Sequence, residues 1–292
     1  AKMVMNIAGI PQPWVLSIDR TNWSFGTTDF NILMLCVVHE GIGYPLMWTM
    51  LDKKKGNSNS TERMDLLERF EKLFPDIEIA YLTGDREFIG KPWLSYLMMD
   101  KPIPFRLRMR QTDKISKGKG QPAIAGSHLF RSLAIGETRI LPGKRWVWGR
   151  PVYVIGTRLD PKQKSGKTDD DFLIIITTHD PQQALADYRR RWGIETLFGA
   201  LKTRGFCLES THFTDKVRLS KLLALLAIAF VWAMKAGIWR HSQKPIRIIK
   251  AHGRRARSLF RYGFDLLRRF FIAPPQSLPE SEFCPIRLLS CT

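Results

Sequence analysis

Residues 14–109 carry the pattern that most restricts the fold. Apolar runs of strand length recur at 14–19 (WVLSID), 31–39 (NILMLCVVH), 44–51 (YPLMWTML), 77–85 (IEIAYLTGD) and 103–109 (IPFRLRM). Runs this short and this apolar, bounded by turn residues, read as strands buried in a sheet. Glu40-Gly-Ile-Gly43 joins the second and third as a hairpin turn. After the polar loop 53–60, an amphipathic helix is predicted over 62–74, capped by Ser60 or Thr61 and ended by Pro75. A shorter helix is predicted over 92–99. Three strands, a helix, a strand, a helix and a strand give an α/β fold with a mixed sheet flanked by helices. Two of the predicted strands end in a carboxylate, at Asp19 and Asp85.

From 111 to 180 the character changes. Residues 111–126 are rich in Lys, Gly, Ser and Pro and predict a mobile basic loop. Strand-like pieces follow at 128–134, 145–148, 152–159 and 172–178, with a polar turn at 162–171. This segment reads as a β-rich insertion rather than a continuation of the same sheet. Asp180-Pro181 then opens a helix running to about 204. A mostly apolar helix is predicted over 216–239. Its longest uninterrupted apolar run, 222–234, is short for a membrane span and suits a buried helix. Residues 240–269 hold ten Lys/Arg and a single acid, Asp265, with a helical pattern at 258–267, and 273–292 reads as a tail. The expected division is therefore 1–110, first part of the core; 111–180, insertion; 181–215, returning helix; 216–272, helical basic region; 273–292, tail. There is no internal repeat and no glycine-rich phosphate loop.

The chain has 46 Lys and Arg against 27 Asp and Glu, a net charge of +19 over 292 residues. Such an excess favours a polyanionic partner, nucleic acid before a membrane surface. Its four cysteines form no C-x2-C pair and its six histidines show no zinc spacing. A reduced, cytoplasmic protein without structural zinc is expected.

The returning helix carries a charged stripe. Tyr188, Arg191, Glu195 and Lys202 follow a Y-x2-R-x3-E-x6-K spacing. At about 100° per residue the four side chains fall within about 60° of one another. A carboxylate is thus flanked by a phenol, a guanidinium and an ammonium, while Ile194, Leu197, Phe198 and Leu201 lie about 100° around the helix. Carboxylates at two strand tips, Asp19 and Asp85, with Glu195 reaching over from a helix, can converge on one point. Hard oxygen ligands of this kind suit Mg²⁺ or Mn²⁺. Two such ions can activate an attacking oxygen and stabilise a leaving one at a phosphodiester. Glu87 and Asp29 are alternative ligands, and Asp169–Asp171 reads as a solvated turn.

The stripe, with Asp19 in IDRTNW and Asp85 in TGDREF, resembles the bacterial insertion-sequence transposases with a DDE triad and a ribonuclease-H-like core. It is similar in particular to the cut-and-paste group, in which a β-rich insertion separates the second aspartate from the glutamate. The resemblance implies that Asp19, Asp85 and Glu195 bind the catalytic Mg²⁺ or Mn²⁺, two ions in all. It implies that Tyr188, Arg191 and Lys202 contact DNA phosphates near the cleaved transposon end. Arg189 and Arg190 beside them read as further backbone contacts or as solvated side chains. Cleavage by activated water, excision through a hairpin and strand transfer into target DNA follow from it, as does a homodimer in a synaptic complex. Such a protein works in the cytoplasm, at the nucleoid. Some members stack a flipped base on a tryptophan of the insertion, and Trp146 and Trp148 occupy that region. Lys114, Lys117, Lys119, Arg254, Arg255 and Arg257 read as non-specific phosphate contacts. Family members usually carry an N-terminal domain that recognises the ends, and the 18 residues before Asp19 are expected to leave no room for it. Alternatives are a ribonuclease-H-like nuclease without strand transfer, a truncated DNA-binding relic, and a basic membrane-associated protein.

Overall fold

The computed structural model describes residues 1–53, 56–161, 170–249, 253–272 and 284–289. It opens with α1 (Lys2–Ala8), followed by β1 (Trp14–Phe25), β2 (Thr28–His39) and β3 (Ile42–Met50), an antiparallel meander. Next come α2 (Ser60–Leu73), β4 (Ile79–Gly84), α3 (Lys91–Ser95) and β5 (Phe105–Met109). β1 and β4 are parallel, as are β4 and β5, so the core order is β3-β2-β1-β4-β5. This is the mixed, ribonuclease-H-like sheet expected from the sequence. The central strands are buried on both faces, which is why they read as continuous apolar runs.

Several boundaries differ from expectation. β1 does not end at Asp19 but continues to Phe25, because β2 alone supplies its main-chain partners there. Pairing with β4 stops at Ile18↔Gly84, so Asp19 marks the point where β1 loses one neighbour. The cap of α2 is Asn59, whose side chain accepts from the Glu62 amide while Glu62 accepts from the Asn59 amide, a reciprocal box. The helix expected over 92–99 is short and passes into a wide π turn at Tyr96–Asp100.

The segment after β5 contains β6 (Lys114–Ser116), β7 (Ala123–Ala125), α4 (Gly126–Phe130), β8 (Thr138–Ile140), β9 (Arg145–Val147), β10 (Arg150–Arg158) and β11 (Phe172–Thr177). Three expectations are corrected here. Residues 111–126 form a small hairpin, β6–β7, rather than a mobile loop. The strand expected over 128–134 is instead α4 and the turn beyond it, because the buried Gly126, Phe130 and Leu133 recur at helical spacing. The insertion also joins the main sheet. β11, apolar along its length, pairs antiparallel with β5 and covers what would otherwise be an open edge. Of the polar turn at 162–171, residues 162–169 lie outside the described residues, as do 273–283 and 290–292 of the tail.

The chain returns through α5 (Ala184–Tyr188), a 3₁₀ turn at Arg189–Arg191 and α6 (Trp192–Leu201). α7 (Lys216–Gln243) is longer than expected. By length and composition it is long and apolar enough to cross a membrane. Here it buries Leu219, Leu223, Ala227, Phe230 and Met234 in the common core beside β3. A two-residue hairpin, β12 (Ile248–Ile249) with β13 (Arg254–Arg255), leads to α8 (Leu259–Ile272), which packs on α7.

α6 reaches the sheet through two glycines. A Cβ on Gly43 would lie 2.8 Å from the Gly193 carbonyl oxygen and 3.0 Å from Cys36 Sγ. Gly43→Ala should therefore push α6 off β3 and destabilise the protein by about 1–3 kcal/mol. A lowered urea midpoint at unchanged slope is the expected result.

Candidate active site

The residues expected to act together come from five segments of the chain. Asp19 lies within β1, just past its last pair with β4, and Asp85 directly follows β4. The Asp19 carboxylate accepts from the Arg20 amide at 2.7 Å and from Arg191 Nη1 at 3.2 Å. Arg191 Nη2 donates to Glu195 Oε1 at 2.5 Å, one helical turn on. Asp85 Oδ1 accepts from the Tyr188 hydroxyl at 3.3 Å and lies 3.5 Å from Arg108 Nη1. The structure therefore gathers Asp19, Asp85, Tyr188, Arg191 and Glu195 in one place.

The stripe itself is less regular than a single helix would make it. The 3₁₀ turn at Arg189–Arg191 separates α5 from α6, and α6 stops at Leu201. Lys202 lies beyond the helix end. Its ammonium donates to the Asn22 carbonyl at 3.0 Å, pairs with Glu209 at 2.9 Å and sits over the Trp23 ring. It is thus tied to the outer part of β1 and not to the carboxylates. Arg189 and Arg190 face solvent. Ile194, Leu197 and Leu201 are buried as expected, and Phe198 is half-buried.

Residues 10–232 match the family model described as the Transposase DDE domain. The chain belongs to this family. A search of characterised proteins finds no match. Among solved structures the chain is similar to the piggyBac transposase synaptic complex with hairpin DNA. That likeness has 14% identity and a TM-score of 0.49, over 92% of this chain and 56% of that one. It is similar to the catalytic domain of human endonuclease V at 11% identity and TM-score 0.31, over 78% and 87% of the two chains. For the Bacillus subtilis endonuclease V the values are 12% and 0.29, over 74% and 81%.

Within this transposase domain, the two alternative ligands, Asp29 and Glu87, are placed differently. Asp29 pairs in register with Ser24 at the far end of the β1–β2 hairpin, five residues from Asp19 or about 17 Å along the strand. Glu87 is held by Arg20 and Ser58. Asp170 is not in a solvated turn: it is buried and accepts from Arg86 at 2.8 Å and Arg108 at 2.9 Å. Asp169 lies outside the described residues.

Sequence reasoning missed Arg106 and Arg108. They lie two apart on β5 and so share a face. Arg106 is almost fully buried, pairs with Asp187 at 3.1 Å and donates to Thr177 and the His179 carbonyl. It fixes α5 against β5, which sets Tyr188 beside Asp85. The signal was two arginines inside an apolar strand, since buried charges require partners.

The donor set fits a divalent cation. Burial pushes the Asp19 carboxyl up to about 7; Arg191 and the Arg20 amide oppose this, and Asp85 and Glu87 add to it. An anion this poorly solvated gains from a cation beside it. Burial also raises the Tyr188 phenol, against the pull of Arg191, so it stays a donor to Asp85. Burial alone would lower Arg191, but Tyr188, Asp19, Asp85 and Glu195 together hold it above its ordinary value. Among the described residues no three acidic, histidine or cysteine side chains are gathered closely enough to hold an ion as they stand. Arg191 stands between Asp19 and Glu195, bonded to both. Members of this family generally use divalent metal ions.

Trp146 is half-buried and Trp148 is 45% exposed. Both line an open cleft of about 830 Å³ with Lys91, Lys114, Lys119 and Arg150. Trp148 and Gly149 form the tip of the β9–β10 hairpin with φ of 50° and 76°. A bulky residue in the left-handed region is strained, and a two-residue turn with both φ positive ordinarily takes Asn or Gly there. The tip rests near Lys91, and Arg150 donates to Ser95 of α3. Lys114, Lys117, Lys119, Arg255 and Arg257 are exposed, and the side chain of Arg254 lies outside the description.

The raised Asp19 pKa has a sign that can be checked. The folded state holds its proton more tightly than the unfolded chain, whose carboxyl titrates near 3.8. Stability in the absence of metal is therefore lost as pH rises from about 4 through 7. Asp19→Asn, which keeps an acceptor for Arg191, should melt higher than the wild type at pH 8. The gap should shrink toward zero near pH 4, as followed by calorimetry with chelator present.

Proposed function

We propose that this chain is the catalytic core of a DNA transposase, which cuts phosphodiester bonds at insertion-sequence ends and joins the freed 3′ end to target DNA. The observation that carries the reading is the meeting of Asp19 and Asp85 on adjacent parallel strands with Glu195, tied to Asp19 through Arg191. The chain spans 56% of the piggyBac transposase chain, so the activity of a whole transposase is likewise part of this proposal.

In this reading Asp19, Asp85 and Glu195 hold Mg²⁺ or Mn²⁺, two ions in all. Bound there, the metal supplies activation of the attacking oxygen and stabilisation of the leaving one. Arg191 offers its planar fork to a phosphate of the DNA end once the carboxylates are engaged elsewhere. Tyr188 donates its hydroxyl at the same place, and Lys202, Arg189 and Arg190 hold the flanking backbone. Trp148 offers an exposed indole face to an unstacked base, and strain of this kind at an exposed tip supports a functional role. The partner is double-stranded DNA, from both transposon end and target, and the working form is a homodimer. The site of action is the nucleoid in the cytoplasm.

Incubation with supercoiled plasmid and Mn²⁺ tests the chemistry. Wild-type protein should nick the plasmid and join labelled donor ends, and Asp85→Ala should do neither. Equal nicking by both proteins would remove Asp85 from the site, and nicking without joining would reduce the reading to a nuclease. Trp148→Ala should weaken binding to DNA ends with unpaired terminal bases by about 1–3 kcal/mol, the worth of one stacked base. Fluorescence anisotropy would show little change for fully paired DNA of the same length.

A further inference from the structure

Nothing in the main-chain ladder fixes the separation of Asp19 and Asp85. The β1–β4 pairing ends one residue before them, at Ile18↔Gly84. Two carboxylates placed side by side repel, and without restraint the strand ends would splay. One pair of side chains bridges the gap just beyond. Arg20 Nε donates to both oxygens of Glu87, at 3.3 and 3.2 Å, and links the residue after Asp19 to the second residue after Asp85. The Arg20 amide meanwhile donates to Asp19 Oδ1. A single residue thus aims one carboxylate and ties down the segment that bears the other.

We infer that Glu87, through its ion pair with Arg20, is a positioning residue that sets the separation of Asp19 and Asp85 for cation binding. The inference rests on the metal-site reading above and assigns Glu87 a part in it other than ligand. Glu87 is held from a second side as well: Oε1 also accepts from the Ser58 amide at 3.2 Å and the Ser58 hydroxyl at 3.0 Å. Ser58 is itself buried and held by Arg63 of α2, whose Nε donates to Ser58 Oγ at 2.8 Å and whose Nη2 donates to the Ser58 carbonyl. Arg63 lies over the Phe88 ring, next to Glu87. On the other side, Arg20 Nη1 donates to Asn31 Oδ1 at 2.9 Å. Asn31, almost fully buried on β2, donates in turn to the Gly56 carbonyl at 3.2 Å. The strap is therefore anchored in β2, α2 and the loop between β3 and α2. Both partners of the ion pair have side chains only 15% exposed, so neither can be lost without leaving the other poorly solvated.

A charge effect alone and a strap make opposite forecasts for one variant. Removing the Glu87 charge weakens cation binding in either case. Removing the Arg20 charge strengthens it by electrostatics but weakens it if the strap is what matters. Mn²⁺ affinity of the full chain, measured by the electron paramagnetic resonance signal of free Mn²⁺, needs no turnover. Glu87→Gln and Arg20→Met should each bind Mn²⁺ about tenfold more weakly, as loss of partners supporting metal ligands does. The double variant should be no worse than either single one. Arg20→Met binding as tightly as wild type or more tightly would overturn the inference. So would Mn²⁺ affinities at the wild-type level with only the melting temperature lowered. If Arg20→Met does not fold, Arg20→Lys, which keeps the charge and loses the fork, should show the same weakening, and wild-type affinity there would count against the strap. Asp19→Ala and Asp85→Ala serve as references. Unchanged binding in both would remove the metal site itself and not merely its support.

Discussion

The structure turns on one buried guanidinium. Arg191 is almost wholly enclosed, yet it bonds Asp19 of β1 and Glu195 of α6 at once. Without it, two carboxylates from distant parts of the chain would meet unscreened in a poorly solvated place. With it, the returning helix has a fixed address on the sheet. The 3₁₀ turn that interrupts the helix at Arg189–Arg191 is part of this arrangement. It leaves Arg189 and Arg190 facing solvent while Arg191 turns inward.

Everything around Arg191 serves the same placement. Gly43 and Gly193 let α6 approach the sheet at backbone distance. Arg106 and Asp187 hold α5 so that Tyr188 reaches Asp85. Asp170, just before β11, binds Arg108 beside Asp85 and so couples the insertion to the core. The insertion is thus more than an appendage: its strand β11 extends the sheet from β5, and its Asp170 bonds Arg108 of β5.

Much of this was legible in the chain. The five core strands were readable because burial on both faces makes them continuous apolar runs, and the 3.6-residue spacing of Ile194, Leu197 and Leu201 gave the buried side of α6. The neighbouring placement of Asp19 and Asp85 was suggested by two apolar runs that stop at carboxylates, although β1 itself continues to Phe25. What could not be read were facts created by neighbours. β1 extends past Asp19 only because β2 supports it, and β11 joins β5 only because that edge was open. The roles of Glu87 and Asp170 depend on arginines distant in sequence, Arg20 for the first, Arg86 and Arg108 for the second. The stripe looked continuous because an ideal helix was assumed; a single 3₁₀ turn and an early helix end sent Lys202 to Asn22 instead.

The proposed cation site is shared by Asp19 and Asp85 and completed by Glu195. Anomalous diffraction from crystals soaked in Mn²⁺ addresses it most directly. A peak shared by the Asp19 and Asp85 carboxylates is the expected result. No peak there, with manganese bound at other acidic residues, would contradict it.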